Sequence, residues 1–117
     1  MSLAELVPGF VRSGKVRDIF ALDDARLLLV ASDRISAFDV VLPTPITDKG
    51  RVLTGLARYW FRETARAGIM PNHLLSTDMA TLPDAYAPEA LALRGRSMIC
   101  RRATVLPVEL IVRGYLA

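Results

Sequence analysis

Val16-Arg17-Asp18-Ile19-Phe20-Ala21-Leu22-Asp23-Asp24-Ala25-Arg26-Leu27-Leu28-Leu29-Val30-Ala31 is the stretch from which the fold follows. Val16, Asp18 and Phe20 alternate with Arg17 and Ile19, the period of two that marks a strand. Asp23-Asp24 supplies a tight turn, and Arg26 to Ala31 returns as an apolar run of strand length. Strand, tight turn and strand make a hairpin, so the sheet begins antiparallel. Upstream, Phe10-Val11-Arg12 reads as another strand, joined at Ser13-Gly14 to the strand running from about Val16 to Leu22. Residues 1–8 read as a short helical turn or arm ending at Pro8-Gly9.

Downstream the period changes. Over residues 51–67, Leu53, Leu56, Ala57, Trp60, Phe61 and Thr64 recur at spacings of three and four, which predicts a helix. Gly68 stands where the chain leaves that helix, and Arg66 suits its negative end. Arg58, Arg62 and Arg66 share another face. Trp60 and its apolar companions are expected in the core. Leu74 to Thr77 predicts a short strand, and Pro83 and Pro88 predict a loop with one short helix near 88–93. His73 reads as a structural or surface histidine. Gly95 to Ala103 and Val108 to Val112 read as two further strands with Pro107 near the turn. The fold class is therefore α+β, a twisted antiparallel sheet with one main helix.

The 117 residues are enough for about one domain, and 52% of them are apolar. Apolar runs such as Leu27 to Ala31 are far short of a membrane span. Met-Ser-Leu-Ala-Glu-Leu carries an acid where a signal peptide places basic residues, so a soluble, cytoplasmic protein is expected. The lone Cys100 reads as a buried thiol in a reducing compartment. One histidine and one cysteine all but exclude the usual zinc sites. Net charge is +3, and thirteen of the fifteen basic residues are arginine. Arginine suits bidentate recognition of phosphate and carboxylate, although a coding bias toward arginine gives the same count. Only Arg101-Arg102 are adjacent, so a nucleic-acid stripe is not indicated.

Ser32 to Gly50 follows the apolar strand and is long for a connection inside a compact domain, a length that marks functional or disordered segments. Ile35, Phe38, Val40, Val41, Leu42 and Ile46 argue for order and burial. Asp33, Arg34, Ser36, Asp39, Asp48 and Lys49 make it a natural binding loop. Arg34 either clamps a carboxylate or phosphate or pairs with an aspartate to pin the loop. Gly9 to Val16 nearly matches a phosphate-binding P-loop, but Val16 offers no hydroxyl and a strand follows where a helix is required. A Gly14-Lys15 pair at a strand-to-strand turn suggests the hairpin device of protein kinases, with Lys15 and Arg17 supplying charge. Taken alone, a plain hairpin turn with a solvated Lys15 is the simpler account. Glu109 is either a ligand contact or an edge-strand charge. Arg113 ends an apolar strand, where its guanidinium can reach a ligand.

Three blocks occur in order: Gly14-Lys15-Val16-Arg17-Asp18-Ile19-Phe20, Ser32-Asp33-Arg34-Ile35-Ser36-Ala37-Phe38-Asp39-Val40, and Pro107-Val108-Glu109-Leu110-Ile111-Val112-Arg113-Gly114-Tyr115. Together they resemble the SAICAR synthetase (phosphoribosylaminoimidazole-succinocarboxamide synthase) family of purine biosynthesis, and Asp48-Lys49-Gly50 fits its pattern too. The resemblance implies an ATP-dependent ligase that joins L-aspartate to carboxyaminoimidazole ribotide through an acyl phosphate, requires Mg²⁺, and releases ADP and phosphate. It implies a sheet similar to the small N-terminal lobe of protein kinases. Gly14, Lys15, Val16 and Arg17 would then lie over the ATP phosphates, and the strand pair from Cys100 to Glu109, with Arg102, on the adenine side. Ser32, Asp33, Arg34, Ser36, Asp39, Lys49 and Arg113 would face the nucleotide and the acidic substrates, with Lys15 and Arg113 the catalytic pair. The partners are thus small molecules, with no nucleic acid and no membrane.

The resemblance also implies a longer chain, with the Mg²⁺-binding carboxylates beyond Ala117. The apolar final residues point the same way, so residues 1–117 are expected to be an N-terminal nucleotide-binding lobe, inactive alone and prone to self-association. A stand-alone nucleotide- or anion-binding module is the competing reading. An arginine-rich nucleic-acid binder is a third, but it lacks an aromatic stacking motif.

Overall fold

The computed structural model describes residues 2–116. Its centre is the hairpin read from the sequence. Strand β2 (Arg17–Ala21) pairs antiparallel with β3 (Arg26–Ala31), from Arg17 opposite Ala31 to Ala21 opposite Leu27. Asp23 shapes the turn: its carboxylate accepts from the Ala25 N–H at 2.9 Å and from Arg26 Nε at 2.8 Å. Strand β1 (Phe10–Ser13) flanks β2. Beyond a two-stranded ribbon of β4 (Ser36–Ala37) and β5 (Val40–Val41) comes helix α2 (Lys49–Arg66). Strands β6 (Leu74–Ser76) and β7 (Ser97–Arg101) complete an all-antiparallel sheet of order β1-β2-β3-β7-β6. A short helix α1 (Leu3–Leu6) precedes the sheet. A 3₁₀ turn at Asp84–Glu89 leading into α3 (Ala90–Leu93) occupies the proline-containing stretch.

The alternation in β2 and β3 sorts the two faces. Phe20, Leu28, Val30 and Ile99 point to one side and form the core with Val7, Met79, Tyr86 and Leu93. The opposite face carries Arg17, Leu29, Ala31 and Met98, against which Leu53, Thr54 and Ala57 of α2 are laid. Gly50 allows the close approach at the start of that helix: a Cβ there would stand 2.4 Å from the Ala31 carbonyl oxygen.

Three expectations fail. Trp60 is not in the core: it is 60% exposed, and Val52, Leu56 and Tyr59 are exposed with it. Only Gly50 and Thr54 of α2 are fully buried, because the helix meets the sheet through its first turns and directs the apolar stripe away. Second, Val108 to Val112 forms no strand, since residues 102–116 have no sheet partner and stay exposed. The hinge expected as a strand pair from Cys100 to Glu109 is therefore one strand, β7, followed by irregular chain. Third, Phe38 is wholly exposed at the tip of the β4–β5 ribbon, and Val40, Val41, Leu42 and Ile46 are also exposed.

Candidate functional site

The end of the sheet where β1 turns into β2 gathers most of the candidate residues. The Gly14 N–H donates to the Arg17 carbonyl at 2.6 Å and closes the turn that carries Lys15 and Val16. Ser32, leaving β3 beside this turn, donates to the Val16 carbonyl through both its N–H (3.0 Å) and its hydroxyl (2.8 Å). Arg34 spans the turn from above. Its Nε donates to the Lys15 carbonyl at 3.1 Å, and its Nη2 to the Gly14 carbonyl at 3.4 Å and to Asp18 Oδ1 at 3.0 Å. Ser13 donates its hydroxyl to the same Asp18 oxygen at 2.6 Å. Lys15 and Asp39 complete the stitching with an exposed ion pair. A long loop and a hairpin turn are thereby one hydrogen-bonded body. Arg34 pairs with Asp18, the kind of contact that the pinning reading of this arginine describes.

Asp39 reaches Lys15 from a strained position. Phe38 and Asp39 occupy the two central positions of the β4–β5 turn at φ 49° and 64°. Two-residue hairpin turns of this hand favour Asn and Gly, since other side chains crowd the backbone in the left-handed region. Strain of this kind persists where the surroundings impose it, and it concentrates at binding sites.

Asp33 ties the same loop to α2 and β7. It accepts from the Gly50 N–H at 2.9 Å and the Asp48 N–H at 3.2 Å, and so caps the N-terminus of α2 from a distance. The cap is needed because Asp48, the residue before the helix, is left-handed (φ 65°) and makes no side-chain cap of its own. Arg96 adds two guanidinium contacts at 3.1 and 3.4 Å. The Gly50 N–H, foremost, and then Arg96 hold the Asp33 carboxyl below the usual carboxylate range despite partial burial.

The structure therefore brings together Gly14, Lys15, Val16, Arg17, Ser32, Asp33, Arg34, Ser36 and Asp39, with Lys49 at the first position of α2. Arg17 is exposed and has no ion-pair partner among the described residues. Arg102 lies at the opposite end of β3, where its N–H donates to the Ala25 carbonyl at 2.8 Å. Glu109 and Arg113 are exposed in the irregular segment and make no side-chain hydrogen bond or ion pair among the described residues. Burial pushes the Cys100 thiol up to about 11, so it is no nucleophile at neutral pH. Among the described residues no group of three or more His, Cys, Asp or Glu is placed to hold a metal ion, and no helix is long and apolar enough to cross a membrane. Asp18 and Arg96 were missed in the sequence. Asp18 read only as one position in the alternation of its strand, and no local signal links Arg96 to a partner 63 positions away.

Residues 10–117 match the SAICAR synthetase family model. The chain is 56% identical over 108 residues to the phosphoribosylaminoimidazole-succinocarboxamide synthase of Halorhodospira halophila, covering 92% of this chain and 35% of that protein. It is 53% identical over 107 residues to that of Trichlorobacter lovleyi, with the same coverage. A solved SAICAR synthase superposes with a TM-score of 0.85 at 37% identity, over 100% of this chain and 41% of the other. The Saccharomyces cerevisiae SAICAR synthase solved in complex with SAICAR gives 0.74 at 35% identity, over 87% and 36%. The chain thus spans about a third of the length of the curated relatives it matches. With a model match over nearly its whole length, the chain belongs to the SAICAR synthetase family.

Proposed function

We propose that residues 1–117 form the nucleotide-binding lobe of an ATP-dependent ligase joining L-aspartate to carboxyaminoimidazole ribotide, a phosphoribosylaminoimidazole-succinocarboxamide synthase. The observation that carries this reading is the stitching of the Gly14–Arg17 turn to the Ser32–Asp39 loop by Arg34, Ser32 and the Lys15–Asp39 pair. Two sequence blocks shared with the family are one rigid body, the preorganisation that positioning catalysis requires.

In this reading the turn covers the phosphates as in the small lobe of protein kinases, with Gly14 and Val16 giving backbone and Lys15 and Arg17 charge. Arg17 has no ion-pair partner among the described residues. The Lys15–Asp39 pair is exposed, and exposed pairs are weak, so an incoming phosphate competes for Lys15. Adenine lies toward Arg102 and Glu109. Arg17 is level with Ala31, and Arg26 with Arg101. Five residues of β3 separate the two ends, about 17 Å at the rise of a strand, a span suited to an extended nucleoside triphosphate. Ser32, Asp33 and Arg34 act by holding the loop, while Ser36, Asp39, Lys49 and Arg113 face the acidic substrates.

ATP supplies the phosphoryl group that turns the ribotide carboxylate into an acyl phosphate, from which the aspartate amine displaces phosphate. The lobe's own contribution is to orient anions and offset phosphoryl charge, without a protein nucleophile. The family's Mg²⁺ has no ligand cluster among the described residues. The partners are small anions in the cytoplasm. The apolar residues exposed on α2 and along 105–116 are the surface through which the segment self-associates in isolation.

The test is ADP release. The reading expects turnover, in the whole ligase of which these residues are the lobe, that depends on both the ribotide and aspartate and that falls on Lys15→Ala. ATP binding without turnover in that whole protein would instead establish a nucleotide-binding module.

A further inference from the structure

Arg58 and Arg62 stand one helical turn apart on α2, where like charges repel. Arg66 on the same face is neutralised by Glu63, but neither Arg58 nor Arg62 has an ion-pair partner among the described residues. Both line a hollow of about 390 Å³ between α2 and the chain of β6, floored by Phe61 and Leu74. That volume falls in the range of small-molecule sites. Ser76 and Thr77 bring hydroxyls to its wall, and Asp78 is the one carboxylate lining it. The Asp78 carboxylate is engaged elsewhere, accepting from the Ala80 N–H at 2.9 Å. On its other side Arg58 shares a second hollow, of about 220 Å³, with Thr54, Thr77 and Arg94. Three guanidiniums thus converge on adjoining concavities that contain a single acid.

We propose that this groove between α2 and β6 is a second anion site, which takes a phosphate-bearing small molecule. Guanidinium forks and flanking hydroxyls are donor chemistry matched to phosphoryl oxygens. The hollow is shallow and partly apolar, and three guanidiniums on two adjoining concavities suit a compact anion better than a nucleic-acid strand, which tracks an extended basic surface. The groove is separate from the β1–β2 turn. β1 and β6 are opposite edges of the five-stranded sheet, four strand spacings or about 19 Å apart. The nucleotide proposed to lie along β3 is two strand spacings, about 10 Å, from β6 and carries its phosphates at the β1–β2 turn, so an anion in this groove is a second ligand, suited to an effector.

The experiment titrates the protein with inorganic phosphate, pyrophosphate and ATP while following backbone-amide resonances residue by residue. The expected result is saturable shifts at Ser76, Thr77 and Asp78, with affinity reduced about tenfold or more in Arg58→Ala/Arg62→Ala and in Arg62→Gln alone. Lys15→Ala leaves those shifts unchanged, which separates this site from the nucleotide reading. Pyrophosphate binding tighter than phosphate identifies a polyphosphate ligand; equal binding identifies a single phosphoryl group. Shifts confined to Gly14–Arg17, no saturable shift at Ser76–Asp78, or undiminished affinity in the folded arginine variants would overturn the proposal.

Discussion

The Arg96 guanidinium grips the Asp33 carboxylate through two nitrogens, at 3.1 and 3.4 Å, across 63 residues of chain. Three structural units meet at this pair. Asp33 opens the candidate binding loop, its oxygens cap α2, and Arg96 immediately precedes β7. The side chains are only 17% and 23% exposed, so water replaces little of what each would lose.

Asp33→Asn should therefore cost about 2–4 kcal/mol, because it removes the charge from a half-buried pair and weakens a helix cap together. Chemical denaturation measures this. Arg96→Lys should lose less, keeping the charge without the fork. A double-mutant cycle returning no coupling between positions 33 and 96 would dissolve the pair as a stabilising unit.

The same carboxylate sets an acid limit. Its folded-state pKa is depressed below the unfolded value, so its contribution to stability is present above the ordinary carboxylate range. That contribution fades as pH falls through the folded value. The stability of the native protein should thus drop below about pH 4, and Asp33→Asn should flatten that limb. An unchanged acid limb in the variant would assign it to other carboxylates.

Phe38 is wholly exposed and held at φ 49°. Phe38→Gly removes no packing and relieves a left-handed backbone, so it should raise stability by about 0.5–1 kcal/mol. A loss of stability would show that the turn has another conformation in solution.

Gly50 and Gly55 lie in one helix with opposite surroundings. Gly50→Ala drives a Cβ to 2.4 Å from the Ala31 carbonyl oxygen and should cost about 2–3 kcal/mol, lifting the helix off the sheet. A Cβ at Gly55 meets nothing within 4 Å, so Gly55→Ala should stabilise by about 0.5–1 kcal/mol. Equal effects at the two positions would contradict the packing of α2 on β3.

The sheet was legible wherever its signal was local. Alternation fixed β2, the apolar run fixed β3, and Asp23-Asp24 fixed the turn between them. Burial was not legible. The periodicity of α2 marks an apolar stripe at Leu56 and Trp60, but periodicity carries no record of whether a surface exists to receive it. The same holds for Val108 to Val112, where strand-forming residues have no neighbouring strand with open hydrogen bonds. In the site, Gly14, Lys15 and Ser32 to Asp39 could be singled out by composition and punctuation. Their stitching by Arg34 to Asp18 and of Asp33 to Arg96 depends on contacts 16 and 63 residues apart, which no local pattern encodes.

The most direct test of the nucleotide-binding account is the ATP affinity of the protein beside that of Arg17→Ala and Lys15→Ala. These remove, at the β1–β2 turn, the cation without an ion-pair partner among the described residues and the exchangeable one. The account predicts an affinity lower by about tenfold or more in each variant, with the fold intact by circular dichroism. Undiminished ATP affinity in both folded variants would contradict it.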